Sequence, residues 1–497
     1  MNKFVFSVIL AGTVLSANRV AAQEVLTLES ALEYAYKNSP ALLQSKLTME
    51  QQQMNLKAQR AAMKTQFSLT VDPFQYTRQN RYDNFNSAWF IDEYMKSSAS
   101  LAIVQPIKWT NGTIALYNDI SWQNATNHSN GRKQNTFSHD ISLRLDQPIF
   151  KYNEMKMNLK QVELALENAQ MNYAMQQLNI EKNVTSSFYS VYQNQKSLAI
   201  AQDEYASQQQ NYEIINNKVN AGLVAKEELF QAEVNLLTSE STLKNSEMTY
   251  ENSKDSFKQQ IGMDLDEDIM VLPNTEVDPV NIDSELAVQR ALEQRMELRQ
   301  HEITIEEDVF SIIQAKNNNK FNGTISARVG LNGLGYDKPN DIYKDLTDNE
   351  VIGISLNIPI FDWGQRKARI RSAELRKESD EISFAEEKKS IIIEVRQLCR
   401  NIPTLLAQIE IQRRNMENAE RTYDINLEKY RNGNLTGMDL QNYQNQLTSA
   451  KMQHTNAIIN YKIEILNLKT QTLWDFQKDE SIFPTELLSG SASSKKR

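Results

Sequence analysis

The sequence predicts a mixed α+β membrane protein built from two structural repeats, in which β-strands enter a transmembrane barrel and long antiparallel helices continue it as a coiled coil. Three observations predict it. First, the segment DQPIF at 146–150 recurs as NIPIF at 357–361, which puts Pro148 on Pro359, and the same 211-residue shift puts Gly222 on Gly433. Second, a heptad series, Val184, Val191, Leu198, Tyr205, Tyr212 and Val219, shifts onto Val395, Ile402, Ile409, Met416, Tyr423 and Tyr430, all apolar. A seven-residue period kept in phase in both copies is the pattern of long helices packing side by side. Third, segments near the recurring motif alternate strictly between apolar and small or polar residues, as strands with one apolar face do.

Residues 1–22 read as a secretory signal: Lys3, an apolar run from Phe4 to Leu15, then Val20-Ala21-Ala22 before Gln23. Its removal takes away Lys3 and Arg19, so the mature chain is two units more negative than the −9 of the whole sequence. That acidic balance disfavours nucleic acid as a partner. The single cysteine, Cys399, falls inside a predicted helix, so there is no disulfide framework. No cysteine near the cleavage point could carry a lipid anchor.

The first repeat, 23–275, opens with a short helical stretch, LTLESALEYAYKNSP, followed by a β region at 66–150. Alternation is visible near 98–107 and 112–122, around the hairpin signal Trp109-Thr110-Asn111-Gly112. From Glu154 to Lys218 there is neither proline nor glycine, which predicts one helix of unusual length. It ends at Asn220-Ala221-Gly222, where a left-handed residue can reverse the chain, giving a tip at 220–225 and a return helix over about 226–262.

The second repeat, 276–480, follows the same plan. Its leading helix, SELAVQRALEQRMELRQHE, aligns Ala35 with Ala291 and Leu42 with Leu298 under a shift of 256 rather than 211. The first copy therefore holds extra residues in its β region. A β-hairpin is predicted at 322–361, from TISARVGLN at 324–332 and VIGISLNIPIF at 351–361. Both lengths suit tilted strands crossing a bilayer. Trp109, Phe150, Phe361 and Trp363 stand at strand ends, where interfacial aromatics belong. A second long helix runs from Gln365 to Arg431, with Pro403 expected to kink it. A tip follows at 432–436, then a return helix over about 438–476, and 481–497 reads as a disordered tail.

Four segments together resemble the TolC-type outer-membrane efflux family, the outer membrane factors: LTLESALEYAYKNSP, the joints DQPIF and NIPIFDWGQRKARIRSAE, the tip NAGLVAKEELFQAEVNLL, and the tip KYRNGNLTGMDLQNYQNQL. The resemblance runs from about Leu26 to Thr472. It implies a homotrimer in the lipid of the outer membrane of a Gram-negative bacterium, each subunit giving four strands to a shared twelve-stranded barrel and its helices to a periplasmic tunnel. It also implies an inner-membrane pump driven by protons or ATP, and a periplasmic adaptor (membrane fusion protein) that docks on the helical tips. Without a partner, a single copy has too few strands to close a barrel. The extra residues at 98–122 either add two strands to the wall or form a separate extracellular hairpin. The narrower wall is preferred, because barrel diameter grows with strand number and a wider barrel would overhang the tunnel.

No catalytic constellation emerges, so the sequence does not read as an enzyme. His128, His139, His301 and His454 are scattered without metal-ligand spacing and read as surface residues, and there is no phosphate loop or nucleophile elbow. No cofactor is expected. The candidate functional residues are at the tips. Gly222, Leu223, Val224 and Ala225 match the family's docking turn, and Gly433 marks the second tip, followed by a divergent Asn434-Leu435-Thr436. The resemblance implies that Asp439 lines the closed periplasmic aperture, where a second family aspartate is Asn442 here. It implies that Glu228 and Tyr430 belong to a latch whose arginine is replaced by Leu435. Read without the resemblance, Glu228 and Asp439 also suit first-turn acids that complement a helix dipole. The sequence thus suggests the exit duct of a tripartite efflux pump for small toxic molecules. A type I protein-secretion duct and a periplasmic coiled-coil structural protein remain alternatives.

Overall fold

The computed structural model of the chain describes residues 24–84, 87–127 and 132–483. The expected signal at 1–22, His128, and residues 484–497 of the expected tail lie outside them.

In chain order the elements are β1 (Glu24–Leu26), α1 (Leu28–Asn38), α2 (Pro40–Ala62), β2 (Gln66–Asp83), β3 (Ala88–Ile107), β4 (Gly112–Asn127) and β5 (Arg132–Ile149). Then come α3 (Glu154–Asn220), α4 (Lys226–Ile261), β6 (Ile269–Val271), α5 (Ser284–Gln294), α6 (Met296–Asn317) and β7 (Asn322–Tyr336). A 3-10 helix at Pro339–Tyr343 precedes β8 (Thr347–Asn357), α7 (Gln365–Arg431), α8 (Gly437–Thr472), β9 (Trp474–Asp475) and β10 (Glu480–Ser481). Helices α3 and α7 are both 67 residues long, and α4 and α8 are both 36.

The described chain forms two compact units: 24–45, 174–294 and 391–483 in one, 46–173 and 295–390 in the other. The first is helical. None of the twelve heptad positions is exposed, and Val184, Val191, Val395, Ile402, Ile409 and Tyr430 are buried. Phe188 and Phe257 meet edge to face with centroids 6.1 Å apart, closing α3 onto α4. The short parallel pair β1–β6 adds the buried Leu26, Ile269 and Val271. Helix α7 stays continuous through Pro403, although proline cannot donate the bond that would reach the Cys399 carbonyl.

The second unit holds one antiparallel sheet in the order β2-β3-β4-β5-β7-β8. This corrects the expectation of a hairpin separate from the other strands. The segment at 98–122 lies within β3 and β4, bonded along its length to β2 and β5. Its turn is held against the start of α3. Asn153 Nδ2 donates to the Lys108 and Trp109 carbonyls at 2.7 and 3.1 Å, and Asn111 Oδ1 accepts from the Met155 amide at 3.1 Å. The expected strand at 351–361 is displaced toward the N-terminus, because β8 starts at Thr347 and leaves its partner at the Asn322–Asn357 pair. Pro359 lacks the N–H that continuing the ladder would require.

Candidate functional site

Each 67-residue helix is ended by a glycine in the left-handed conformation. At the first tip Gly222 has φ +72°, and its amide donates to the Val219 carbonyl while the Leu223 amide donates to Lys218, both at 2.9 Å. At the second tip Gly433 has φ +77°, with its amide on Tyr430 and that of Asn434 on Lys429, at 3.0 and 2.9 Å. This is the paired closure of a Schellman turn. Its usual apolar contact is missing at the first tip, where Leu223 is 74% exposed. Val224 is half-buried, and Ala225 is the N-cap of α4 without a side-chain bond. Glu227 and Glu228 occupy the uncapped first turn, where they offset the positive end of the helix. Beyond them Phe230, Val234 and Leu237 extend an exposed apolar stripe at three- and four-residue spacing.

The two hairpins meet below the tips. Tyr430 is buried, and its hydroxyl donates to Asn211 Oδ1 at 2.5 Å, while the Lys218 ammonium lies 5.2 Å from its ring centroid. Burial raises the Tyr430 pKa, and the nearby Glu228 carboxylate raises it further. Glu228 and Tyr430 are thus brought within electrostatic reach, but the phenol bonds to Asn211. One turn away the side chains of Gln208 and Gln441 are also hydrogen-bonded. Sequence reading missed Asn211, Lys218 and this glutamine pair, since each lies far along the chain from its partner.

Asp439 is exposed and held by its own N-cap: Thr436 Oγ1 accepts from the Asp439 amide at 3.2 Å and donates to Asp439 Oδ2 at 2.7 Å. The carboxylate therefore serves the cap while its outer face meets solvent. Asn442 is exposed one turn on, and Leu435 is half-buried.

The sheet presents two chemically distinct faces. One is apolar and exposed, with Phe67 at 71% and Ile352 at 82%. The other is polar: Arg328 on β7 donates to both oxygens of Asp140 on β5 at 2.8 and 2.6 Å, and Ser121 and Ser138 share a 2.7 Å bond. Trp109, Phe150, Phe361 and Trp363 are all exposed near strand ends, and Phe361 and Trp363 meet edge to face at 4.8 Å. The reading of the histidines as surface residues is corrected for His139, which is 7% exposed. The 3-10 helix after β7 folds over it, bringing the Tyr343 ring to 5.4 Å, and His139 Nε2 lies 2.7 Å from Asn118 Oδ1. His301 is half-buried against Phe384, and His454 is half-buried too.

Comparison with known proteins follows the same outline. The chain is 21% identical over 399 residues to Nodulation protein T of Rhizobium leguminosarum bv. trifolii, covering 77% of this chain and 81% of that protein. Its fold is similar to the Campylobacter jejuni CmeC outer membrane channel, with a TM-score of 0.70, 16% identity, and coverage of 94% and 89% of the two chains. It is also similar to the Neisseria gonorrhoeae MtrE outer membrane channel in its open state, with a TM-score of 0.64, 14% identity, and coverage of 91% and 90%. Across residues 108–262 and 287–472 the sequence matches the family described as OEP, outer membrane efflux protein. With joints, both long helices and both tips inside the matched range, the chain belongs to the outer membrane efflux protein family.

Proposed function

We propose that this protein is the passive exit duct of a tripartite efflux pump in the outer membrane of a Gram-negative bacterium. Three copies close one barrel in lipid, and their helices form a periplasmic tunnel that ends at the two tips. The observation that carries this reading is a single sheet with one exposed apolar face and one polar face, whose strands lead directly into 67-residue helices. Barrels cannot leave open edges in hydrocarbon, so a sheet of this kind needs further copies to close it.

In this reading a periplasmic adaptor docks on the tip at Gly222, Leu223, Val224 and Ala225, helped by Gly433. The exposed Leu223 and the stripe beginning at Phe230 offer it an apolar surface. An inner-membrane pump supplies the energy. Asp439 and Asn442 line the narrow periplasmic end, where threefold symmetry would gather three Asp439 carboxylates. Glu228 and Tyr430 restrain that end through electrostatics and the Asn211 bond rather than through a salt bridge, because position 435 is leucine. The cargo class is small toxic molecules.

Expression of the full chain in a strain lacking its own duct tests the proposal. The protein should fractionate with the outer membrane as a dissociation-resistant trimer and restore resistance to toxic compounds. Export of a protein substrate without restored resistance would favour a type I secretion duct instead.

A further inference from the structure

The strands that the first repeat holds in excess continue both faces of the sheet. One row of paired residues runs Phe67, Ile103, Leu116, Leu143 and Val329 across β2, β3, β4, β5 and β7, all apolar, and ends on Glu350 near the start of β8. A row on the opposite face runs Thr70, Ser100, Asp119, Asp140, Asn332 and Thr347 across all six strands, all polar. A hairpin standing apart from the wall has no reason to keep this register. Strands that share one lipid face and one water face do.

The sheet edges carry the next step. Among the described residues β2 and β8 are its two outer strands. Strand β2 starts at Gln66, four residues after α2 ends at Ala62, and runs away from that helix, whereas β8 runs toward α7 and ends at Asn357. The two edges therefore point in opposite directions, as antiparallel pairing between β2 of one copy and β8 of the next requires. Each edge leaves a row of backbone N–H and C=O groups that hydrocarbon cannot satisfy. Repeating this one head-to-tail contact closes a ring.

We infer that every copy contributes six strands to the wall, joined to the next copy through β2 and β8. The inference rests on the proposed three-copy duct, where it sets an eighteen-stranded barrel in place of a twelve-stranded one. Because diameter grows roughly linearly with strand number, the bore at the membrane is about 1.5 times that of a twelve-stranded wall, in the range where barrels hold an open aqueous channel. Sizing of the cargo then falls to the helical end, and the barrel excludes nothing that the tunnel admits.

Cysteine cross-linking in outer membranes tests the edge contact. In a Cys399→Ser background, Leu69→Cys in β2 is combined in turn with Ile352→Cys, Ile354→Cys and Leu356→Cys in β8, all exposed on the apolar face. At one of these registers oxidation should convert most of the protein to covalent dimers and trimers. The comparison variant Leu116→Cys in β4, combined with the same three, should give none. Cross-linking from Leu116, or an intact trimer with no link from Leu69 at any register, would overturn the six-strand wall and leave the duct standing. Polymer exclusion from the unsubstituted channel gives an independent reading, and a limiting radius at the membrane end matching a twelve-stranded barrel would also overturn it. If the unsubstituted protein forms neither trimers nor channels, the duct reading itself fails.

Discussion

The carboxyl of Asp308 on α6 is only 2% exposed, and Arg376 on α7 holds its Nε 3.3 Å from Asp308 Oδ1. Burial raises the Asp308 pKa from 3.8 to about 6, and Asp380 and Glu307 add to the shift, while Arg376 opposes it. A carboxyl whose pKa is higher folded than unfolded binds its proton more tightly in the folded state. Its contribution is therefore fully present below about pH 4 and is lost as the pH rises through about 6. Asp308→Asn should gain heat stability relative to the parent at pH 7.5 and lose that advantage at pH 5. A stability difference that does not change with pH would contradict the raised Asp308 pKa.

At the first tip, Gly222→Val should assemble normally and fail in efflux. Nothing lies within 4 Å of where a Cβ would sit, so the cost is purely conformational. A left-handed β-branched residue is disfavoured by roughly 1–2 kcal/mol, enough to reshape an exposed turn but not to unfold the helices. Resistance assays in a deletion strain check this, and full resistance from Gly222→Val would remove the docking role.

Asp439→Asn should weaken block by trivalent cations in single-channel recordings. A loss of about 1.4 kcal/mol in cation binding would move the blocking concentration about tenfold higher. Thr436→Ala removes the cap at Asp439, costing about 1 kcal/mol of helix stability, and should leave the block nearly unchanged. Identical block curves for the parent and Asp439→Asn would mean that Asp439 serves only the cap.

Phe257→Ala should be among the most damaging changes in the helical unit. The side chain is fully buried against Phe188, and truncating a buried phenylalanine costs about 3–5 kcal/mol. The temperature of thermal unfolding should fall by many degrees, whereas Phe230→Ala on the exposed stripe should leave it unchanged.

Much of the helical part was legible because long helices advertise themselves. The stretch without proline or glycine after Glu154 became α3, which runs on to Asn220, and the glycines at 222 and 433 carry the left-handed turns. The β region was less legible. Alternation located the cores of β3, β4, β7 and β8, but an isolated strand does not say which neighbour it will bond, so the width of the sheet could not be read. The turn at Trp109 looked like any hairpin turn until Asn153, 44 residues on, was seen to hold it against α3. At the tips the sequence singled out Glu228 and Tyr430 by motif. It gave no sign of Asn211, because that bond joins residues 219 positions apart.

The central claim is that copies of this chain close a pore in lipid, and planar-bilayer recording of the purified full-length protein tests it most directly. Reconstituted trimers should give stable stepwise conductance that favours cations and is blocked by added trivalent cation. A monodisperse monomer, soluble without detergent and producing no conductance steps, would contradict the account.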